Sequence, residues 1–338
     1  MNKIIEATAP VRVDLAGGTL DLYPLYLFLG GATTVNLAIS LTTQVLLEPR
    51  TDNKIRITAL DSDQSVSAKN AAALPTDGPL GFVCRAVRFF HHDGGLNITT
   101  NTVIPRGSGL GTSSSLLVAL SSALCKYNNI RLSPDALVDR IAELEAQAIG
   151  VPTGKQDYYA AIHGGVNAVH FDIAEKRVEP LVDQAEFLQS LEEHCLLTFT
   201  GESHQSAIAN WNMLKAYVEN SGDNRTRMNT IKKIALQMRQ ALLDHDLRAV
   251  ARLLGKEWEQ RKGLAKGVAT PQTDALIAAA QGAGAYASKI CGAGGGGCMI
   301  TIVPPKRRAA VSAALERAGA KVLPFGIHRQ GVRVKLLG

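Results

Sequence analysis

The sequence lacks the long apolar runs of a membrane protein. No segment approaches ~20 uninterrupted apolar residues, and the first residues contain neither the basic block nor the apolar block of a signal peptide. We therefore expect a soluble, cytoplasmic protein with no membrane partner. The chain has 338 residues, 46% of them hydrophobic, which suffices for a sizeable core and suggests two domains.

Cysteines and dense basic runs are also scarce. The five cysteines are odd in number and form no Cys-x-x-Cys pair, which argues against a disulfide framework and a zinc knuckle. The net charge is +6, but Lys and Arg are scattered, and their best run, residues 306–308, opens a predicted helix. We expect no nucleic-acid partner, and the positive balance is consistent with a phosphorylated substrate.

The sequence does contain a glycine loop between a strand pattern and a helix pattern. Residues 96–103 alternate apolar and polar, and an apolar run follows at 116–124. Between them, PRGSGLGTSSS at 105–115 brings three glycines and a Ser/Thr cluster to the predicted helix start. Glycines allow close backbone approach, N–H groups at a helix start favour anions, and hydroxyls contact phosphate or hydrated Mg²⁺. This combination predicts a nucleotide phosphate site.

Two common phosphate loops do not fit this stretch. It lacks the Gly-Lys-Ser/Thr ending of a Walker A loop, and Thr112 stands where a Rossmann fingerprint needs glycine. A second glycine run, at 291–297, does contain Gly-x-Gly-x-x-Gly. However, the apolar run 298–303 behind it is closed by Pro304 and predicts a buried strand, whereas a dinucleotide site opens a helix.

The loop at 105–115 resembles the second motif of the GHMP kinases, the family of galactokinase, homoserine kinase and mevalonate kinase. The family form is Pro-x-x-x-Gly-Leu-Gly-Ser-Ser-Ala, from which Thr112 and Ser115 depart. The resemblance implies that ATP binds at this loop. The implied ATP-binding residues are Pro105, Gly107, Ser108, Gly109, Leu110, Gly111, Thr112, Ser113 and Ser114.

The segment APVRVDLAGGTLD at 9–21 resembles the first motif of the same family in its sugar-kinase form, with Leu20 where Thr is usual. By that resemblance, Arg12 lies near the catalytic base and the reacting hydroxyl. The implied sugar-contacting residues are Gly17, Gly18 and Asp21, and the carboxylate of an aspartate can accept two hydroxyl hydrogen bonds.

The glycine run at 291–297 resembles the third motif, which packs beside the phosphate loop and the substrate. Its implied substrate contacts are Gly294 and Gly295. Arg261 and Lys262, in a stretch with helical periodicity, are further candidates for substrate contact.

The most discriminating stretch is ELEAQAIGVPTGKQDYYAAIHGGVN at 143–167, which resembles the heptose-phosphate kinase branch of the family. By that resemblance, Glu145 is a Mg²⁺ ligand that shares the ion with a hydroxyl of Ser113 or Ser114, and Asp157 is the carboxylate that faces the accepting hydroxyl. Lys155 either contacts a substrate phosphate or anchors its loop.

These residue types suit phosphoryl transfer. The reaction needs oxygen ligands for Mg²⁺, N–H donors for the phosphates and a carboxylate that accepts the hydroxyl proton. Because an aspartate of ordinary pKa near ~4 is a weak base, we expect positioning and late proton transfer to dominate. Arg12 is then expected to keep Asp157 ionised.

The resemblance covers nearly the whole chain and implies the α+β two-domain GHMP kinase fold. The N-terminal domain, resembling ribosomal protein S5 domain 2, is placed at residues 1–185. The C-terminal ferredoxin-like α/β domain, completed by the terminal strands, is placed at 186–338.

The implied activity is that of an ATP- and Mg²⁺-dependent sugar kinase, acting on the anomeric hydroxyl of a heptose 7-phosphate. The expected partner is therefore a small sugar or sugar phosphate, and family members are often homodimers. Two alternatives stay open: a GHMP kinase with a fucose-, galactose- or mevalonate-type acceptor, and a nucleotide-binding regulator without transfer activity.

Overall fold

The computed structural model describes residues 3–105, 107–202 and 206–337, which form two β-sheets and their flanking helices. The strands are β1 (Ile4–Ala16), β2 (Ala32–Arg50), β3 (Ile55–Ala59), β4 (Gln64–Ala68), β5 (Gly95–Thr102), β6 (Val166–Phe171), β7 (Lys176–Val182), β8 (Cys195–Phe199), β9 (Ala287–Ile290), β10 (Cys298–Ile302), β11 (Lys321–Leu323) and β12 (Arg333–Leu337). The helices are α1 (Leu25–Phe28), α2 (Gly81–Phe90), α3 (Thr112–Tyr127), α4 (Pro134–Ile149), α5 (Gln156–His163), α6 (Ala185–His194), α7 (Ser206–Val218), α8 (Asn224–Leu243), α9 (Leu247–Arg261), α10 (Pro271–Gly282) and α11 (Arg308–Arg317).

The first sheet is organised around the long strand β2. Its strand order is β12-β1-β2-β5-β3-β4, and all neighbours are antiparallel except β3 and β5. The first part of β2, from Ala32 to Leu37, also pairs with β6, whereas the part from Thr43 to Arg50 pairs with β5. The sheet therefore divides along β2, and β7 extends the β6 branch.

Strand β1 changes its burial along its length. Its first residues alternate between buried and partly exposed, but every residue from Ala9 to Ala16 is buried. Continuous burial requires cover on both faces of a strand. Helices α3 and α5 from the first part of the chain and α8 and α9 from the second part supply that cover.

The helices that carry the predicted site residues begin as the sequence indicates. Helix α3 follows the glycine loop directly, and its apolar residues, including Leu117 and Leu120, are buried against β1 and β2. Helix α4 starts with Pro134 after Ser133, whose hydroxyl accepts the Ala136 N–H at 3.2 Å, so it has both a first-turn proline and an N-cap.

The second sheet is antiparallel, in the order β11-β8-β10-β9. The predicted buried strand at 298–303 belongs to it as β10, all five residues of which are buried, and it pairs with β8. Helices α10 and α11 pack against this sheet. The change from the first sheet to the second falls between β7 and β8, while a domain division at residues 185 and 186 stays a prediction.

The last strand crosses back to the first sheet. Although the terminal strands were expected to complete the C-terminal domain, β12 pairs with β1, with Ile4 opposite Leu337. Strand β11 does join the second sheet. The expectation is therefore correct for β11 and wrong for β12, because pairing over this sequence distance leaves no local signal.

In the part of the chain that the structure describes, no helix combines the length and the apolar character needed to cross a membrane.

Candidate active site

The glycine loop lies between β5 and helix α3, as the change of periodicity predicted. Gly107, Gly109 and Gly111 have φ values of 67°, 71° and 74°, which side chains with a Cβ rarely adopt. The Arg12 N–H donates to the Leu110 carbonyl at 3.1 Å, so β1 holds the loop directly. The first N–H groups of α3, which a helix leaves without an intrahelical partner, therefore follow a loop that β1 holds in place.

Arg12 connects this loop to Asp157. Its Nη1 donates to the Gly109 carbonyl at 2.6 Å, while Nε and Nη2 lie 2.7 and 2.6 Å from Asp157 Oδ1. The two side chains come from β1 and the first turn of α5. The predicted proximity of Arg12 and Asp157 is thus present, although 145 residues separate them in sequence.

The surroundings of Asp157 favour its protonated form more than a surface site does. Burial raises the pKa of Asp157 above its ordinary value, and the charge and hydrogen bonds of Arg12 oppose that rise. Its Oδ2 faces Gly111, where an added Cβ would lie 2.7 Å away. Glycine at this position therefore lets the phosphate loop approach the carboxylate.

Glu145 projects from α4 towards the same helix start. Its Oε1 accepts from the Ser113 hydroxyl at 2.5 Å, and its Oε2 accepts from the Ser114 hydroxyl at 3.1 Å and from Tyr158. Burial raises the pKa of Glu145, while the hydroxyl donors lower it. A carboxylate with two adjacent hydroxyls presents the hard oxygen donors that suit Mg²⁺.

Asp21 approaches Asp157 from the first glycine loop. It is buried, and its Oδ2 accepts the backbone N–H of Gln156, the neighbour of Asp157, at 2.9 Å. Burial raises the pKa of Asp21 to about 6, an effect that the Gln156 N–H opposes and the charge of Asp157 reinforces. Gly154 passes so close to this carboxylate that a side chain there would collide with it.

These residues line a cavity of about 420 Å³. Its wall includes most of the residues singled out from the sequence: Arg12, Gly18, Asp21, Gly107, Ser108, Gly109, Gly111, Thr112, Ser113, Ser114, Glu145 and Asp157. A neighbouring cavity of about 360 Å³ shares Phe82, Ser113, Glu145 and Ile149 with it and extends to residues 76–78. The site therefore has room for an elongated ligand that passes Glu145.

Other predicted residues lie behind the cavity wall. Pro105, Leu110 and Gly17 do not line the cavity, and Gly17 has a φ of 84° and packs on the backbone of Thr33. Lys155 directs its Nζ to Asp139 Oδ1 at 2.6 Å, away from the wall, which is the arrangement of a loop anchor.

The third glycine loop reaches the cavity two residues earlier than the motif suggested. Gly292 and Ala293 line the wall, whereas the Gly295 N–H donates to the Val268 carbonyl at 2.7 Å and Gly294 packs on Val268. The prediction that this loop packs beside the phosphate loop agrees with the Cys298 N–H donating to the Ser108 carbonyl at 2.7 Å.

Sequence reasoning missed a buried group of charges behind the wall, formed by Asp14, Glu257, Arg261 and Lys289. Arg261, a candidate for substrate contact, instead bonds the backbone of the first glycine loop. Lys289, the one charged residue of the short strand β9, was the only local signal among the four. Tyr158 was also missed as a partner of Glu145.

The comparisons agree with this geometry. The profile of the GHMP kinases N terminal domain matches residues 81–165, and that of the GHMP kinases C terminal matches residues 238–321. A D-glycero-alpha-D-manno-heptose 7-phosphate kinase of Campylobacter jejuni is 30% identical over 340 residues, which cover 98% of each chain. A mevalonate kinase of Thermococcus sibiricus is 27% identical, also over 98% of each chain.

A solved structure described as a D-glycero-D-manno-heptose 1-phosphate kinase from Bacteriodes thetaiotaomicron is 27% identical, covers 99% of each chain and superposes with a TM-score of 0.78. The chain therefore belongs to the GHMP kinases and has their two-domain fold, as its motifs predicted. It is an enzyme of the phosphotransferase class, which uses ATP and an alcohol group as acceptor.

Proposed function

We propose that the protein transfers the γ-phosphoryl group of ATP to the anomeric hydroxyl of D-glycero-D-manno-heptose 7-phosphate, with Mg²⁺ as the metal. The observation that carries this proposal is the Arg12–Asp157 pair, which lies against the glycine loop in one cavity with Asp21. The relative from Campylobacter jejuni supports the choice of acceptor, because its similarity extends over nearly the whole of both chains.

The phosphates of ATP are assigned to the loop at 107–111 and the first turn of α3. N–H groups at a helix start and glycines with positive φ form a cradle for anionic oxygens. Held there, the γ-phosphoryl group lies next to Asp157, since Gly111 is in direct contact with that carboxylate.

Glu145, Ser113 and Ser114 are assigned to Mg²⁺. The described residues contain no cluster of three or more Asp, Glu, His or Cys that could hold a metal by itself. One carboxylate with hydroxyls nonetheless fits Mg²⁺ in a kinase, because this ion usually retains waters and binds substrate phosphates. When bound, the ion neutralises charge on the phosphates.

The transfer step needs a proton acceptor and in-line geometry. The acceptor oxygen forms a bond to the γ-phosphorus, the bond from that phosphorus to the β,γ-bridging oxygen breaks, and ADP leaves. The hydroxyl proton passes to Asp157 Oδ2, since Oδ1 is occupied by Arg12. The raised pKa of Asp157 improves its strength as a base, and the charge and hydrogen bonds of Arg12, which oppose that rise, favour the ionised form that accepts the proton.

Asp21 is assigned to the sugar. Its carboxylate retains acceptor capacity beyond the one bond from Gln156. Leu20, which replaces the family's usual threonine, is buried in the core and does not line the cavity. The presence of leucine instead of threonine at position 20 therefore removes no polar group from the cavity wall. It gives no reason to prefer a fucose-, galactose- or mevalonate-type acceptor.

An acceptor panel tests the proposal. ATP consumption is measured together with mass spectrometry of the product for D-glycero-D-manno-heptose 7-phosphate, mannose, fucose, galactose and mevalonate. We expect a bisphosphate from the heptose phosphate, with the new phosphorus coupled to the anomeric proton in the NMR spectrum.

The methyl glycoside of the same heptose phosphate is the matched control, because it lacks the free anomeric hydroxyl and should give no product. Preference for fucose, galactose or mevalonate would transfer the assignment to that acceptor. ATP binding without turnover on any acceptor would leave the regulator as the better explanation.

A further inference from the structure

Four charged side chains are fully buried behind the cavity. Lys289 Nζ lies 2.9 Å from Asp14 Oδ2 and 3.1 Å from Glu257 Oε2, while Arg261 Nη2 lies 2.6 Å from Glu257 Oε1 and 3.9 Å from Asp14 Oδ2. All four have a side-chain exposure of 0%. We call Asp14, Glu257, Arg261 and Lys289 the buried charge cluster; its formal charges cancel.

The buried charge cluster joins both sheets. Asp14 belongs to β1 of the first sheet, Lys289 to β9 of the second, and Glu257 and Arg261 to α9. Buried ion pairs are weak evidence for stability, because well-packed apolar residues often replace them without loss. The hydrogen bonds from the cluster to the neighbouring loops of the active site point to a role other than stability.

Arg261 directs its remaining donors at two loops of the active site. Nη2 donates to the Gly18 carbonyl at 2.8 Å, and Nη1 lies 3.2 Å from Thr19 Oγ1 and 3.4 Å from the Gly292 carbonyl. Gly18, Thr19 and Gly292 all line the cavity, whereas Arg261 does not. One guanidinium therefore connects the first glycine loop to the third from behind the wall.

The bonded loop has a conformation that needs support. Thr19 has a φ of 73°, which is unfavourable for a residue with a branched Cβ. Two turns follow each other there, since the Leu20 N–H donates to the Gly17 carbonyl and the Leu22 N–H to the Thr19 carbonyl, both at 3.2 Å. Asp21 lies within the second turn, so its direction depends on how Thr19 is held.

We propose that Arg261 is a positioning residue for the acceptor: it fixes the loop at residues 17–22 against Gly292, so that the Asp21 carboxylate points at the substrate hydroxyls. The remaining cluster members orient Arg261 and balance its charge. A lysine cannot replace it, because one ammonium group lacks the planar fork that reaches Glu257, Gly18 and Thr19 together. This role rests on the proposed function for its effect on catalysis, but not for its effect on the loop.

The first test compares Arg261→Lys with Arg252→Lys, a matched control at an exposed position of the same helix. For Arg261→Lys we expect a KM for the acceptor roughly tenfold higher, because a misdirected Asp21 loses a hydrogen bond between the acceptor and a charged group, which contributes about that factor to binding. The KM for ATP should stay within about twofold, since the phosphate loop is held by Arg12 instead. Arg252→Lys should leave both unchanged.

A charge-balanced double variant guards against misfolding. Glu257→Leu combined with Arg261→Met removes one opposite pair and leaves Asp14 and Lys289 to neutralise each other. We expect it to fold and to show the same selective rise in the acceptor KM. Equal rises of both KM values, or unfolding of both Arg261 variants, would assign Arg261 to general stability and overturn the proposal.

Hydrogen exchange of the free protein provides a readout without substrate. Backbone amides of residues 17–22 should exchange at least ~10-fold faster in either Arg261 variant than in the wild type, while those of residues 107–115 stay unchanged. Unaltered exchange at 17–22 with an unaltered acceptor KM refutes the role of Arg261. Absence of heptose product in the wild type refutes the proposed function alone, and exchange still decides the role of Arg261.

Discussion

At the scale of single residues, two aspartates of the cavity have different hydrogen-bond partners. Asp157 has the Arg12 guanidinium at 2.6 Å, whereas Asp21 accepts a backbone N–H from Gln156. Burial raises the pKa of both carboxyl groups, to about 6 for Asp21. Arg12 opposes the rise in the pKa of Asp157, whereas Asp21, which lacks such a partner, becomes protonated in mildly acidic solution.

We predict that Asp157→Asn lowers kcat by about 10²–10⁴-fold, the usual contribution of a positioned general base. ATP affinity, measured by calorimetry, should change little, because the phosphate loop is bonded to the backbone and side chain of Arg12. Asp172→Asn, at an exposed position, is the control. Turnover that survives Asp157→Asn would remove Asp157 from the mechanism.

Asp21 also predicts a pH dependence of stability. Because its folded pKa of about 6 lies above the unfolded value near ~4, the native state binds the extra proton between these pH values. Its contribution therefore favours the folded state at low pH and is lost as the pH rises from ~4 to ~6. Relative to the wild type, Asp21→Asn should become more stable over that interval by about 2–3 kcal/mol, measured by urea unfolding.

Asp52 supplies a control of opposite sign. Its exposed side chain pairs with Arg50, which lowers its pKa to about 2. The stability of Asp52→Asn relative to the wild type should therefore fall as the pH rises from ~2 to ~4. It should show no trend between ~4 and ~6. A flat difference for Asp21→Asn over the upper interval would show that Asp21 is ionised when folded.

At the scale of elements, helix α4 separates two glutamates by their direction. Glu145 is buried against the Ser113 and Ser114 hydroxyls, whereas Glu143, two residues earlier, is exposed. Positions two apart on a helix point to different sides. The helical register alone therefore decides which glutamate reaches the phosphate site.

We predict that Glu145→Gln raises the Mg²⁺ concentration needed for half-maximal activity by roughly tenfold or more, the scale seen when a group supporting a metal site is lost. Titration of activity with MgCl₂ at saturating ATP measures this concentration. Glu143→Gln on the same helix should leave the curve unchanged, and equal curves for the two variants would exclude Glu145 from the metal site.

The phosphate loop predicts a second effect, at Gly111. Gly111→Ala should lower kcat, because its Cβ would lie 2.7 Å from Asp157 Oδ2 and displace the carboxylate. Gly94→Ala is the control, since Gly94 also has a positive φ, of 85°, but no atom within 4 Å of its added Cβ. Both should cost about 1 kcal/mol of stability, through strain alone for Gly94, and turnover should fall in Gly111→Ala alone.

The sequence predicts the features of this architecture that arise from local patterns, and it misses those that arise from contacts between residues far apart in the chain. The strand, glycine loop and helix at 95–127 follow from local periodicity and turn residues, and their boundaries were recovered closely. The contact of Arg261 with Gly18 spans 243 residues, and no local pattern encodes it. Lys155 pairs with Asp139, which lies 16 residues earlier. The spacing of these two residues in the sequence does not predict that they pair.

At the scale of the whole molecule, β1 serves both units of the chain. It carries Arg12 to the cavity, carries Asp14 to the buried charge cluster and pairs with the last strand, β12. The segment before β12 also supports the site, because Gly331 packs on the Ile162 carbonyl at the end of α5. The helix that presents Asp157 is thus held at its far end by the C-terminal segment.

We predict that Gly331→Ala destabilises the protein by about 1–3 kcal/mol, the range for overpacking, because its Cβ would collide with the Ile162 carbonyl. Gly282→Ala is the control: Gly282 likewise lacks a positive φ, and nothing lies within 4 Å of its added Cβ. Urea unfolding measures both variants. Equal urea midpoints for the two variants would show that the C-terminal segment adjusts to the added methyl group without loss of stability.

The pairing of β1 with β12 has a consequence for the order in which the protein is made. The ribosome releases β1 well before β12, yet β12 is the strand that covers the outer edge of β1. Until then, the backbone groups on that edge are unpaired, which is the state in which strands associate with other chains. The first sheet therefore reaches its final form only once residues 333–337 have emerged from the ribosome, and the interval between the two strands is a period during which chaperones have an exposed β-edge to bind.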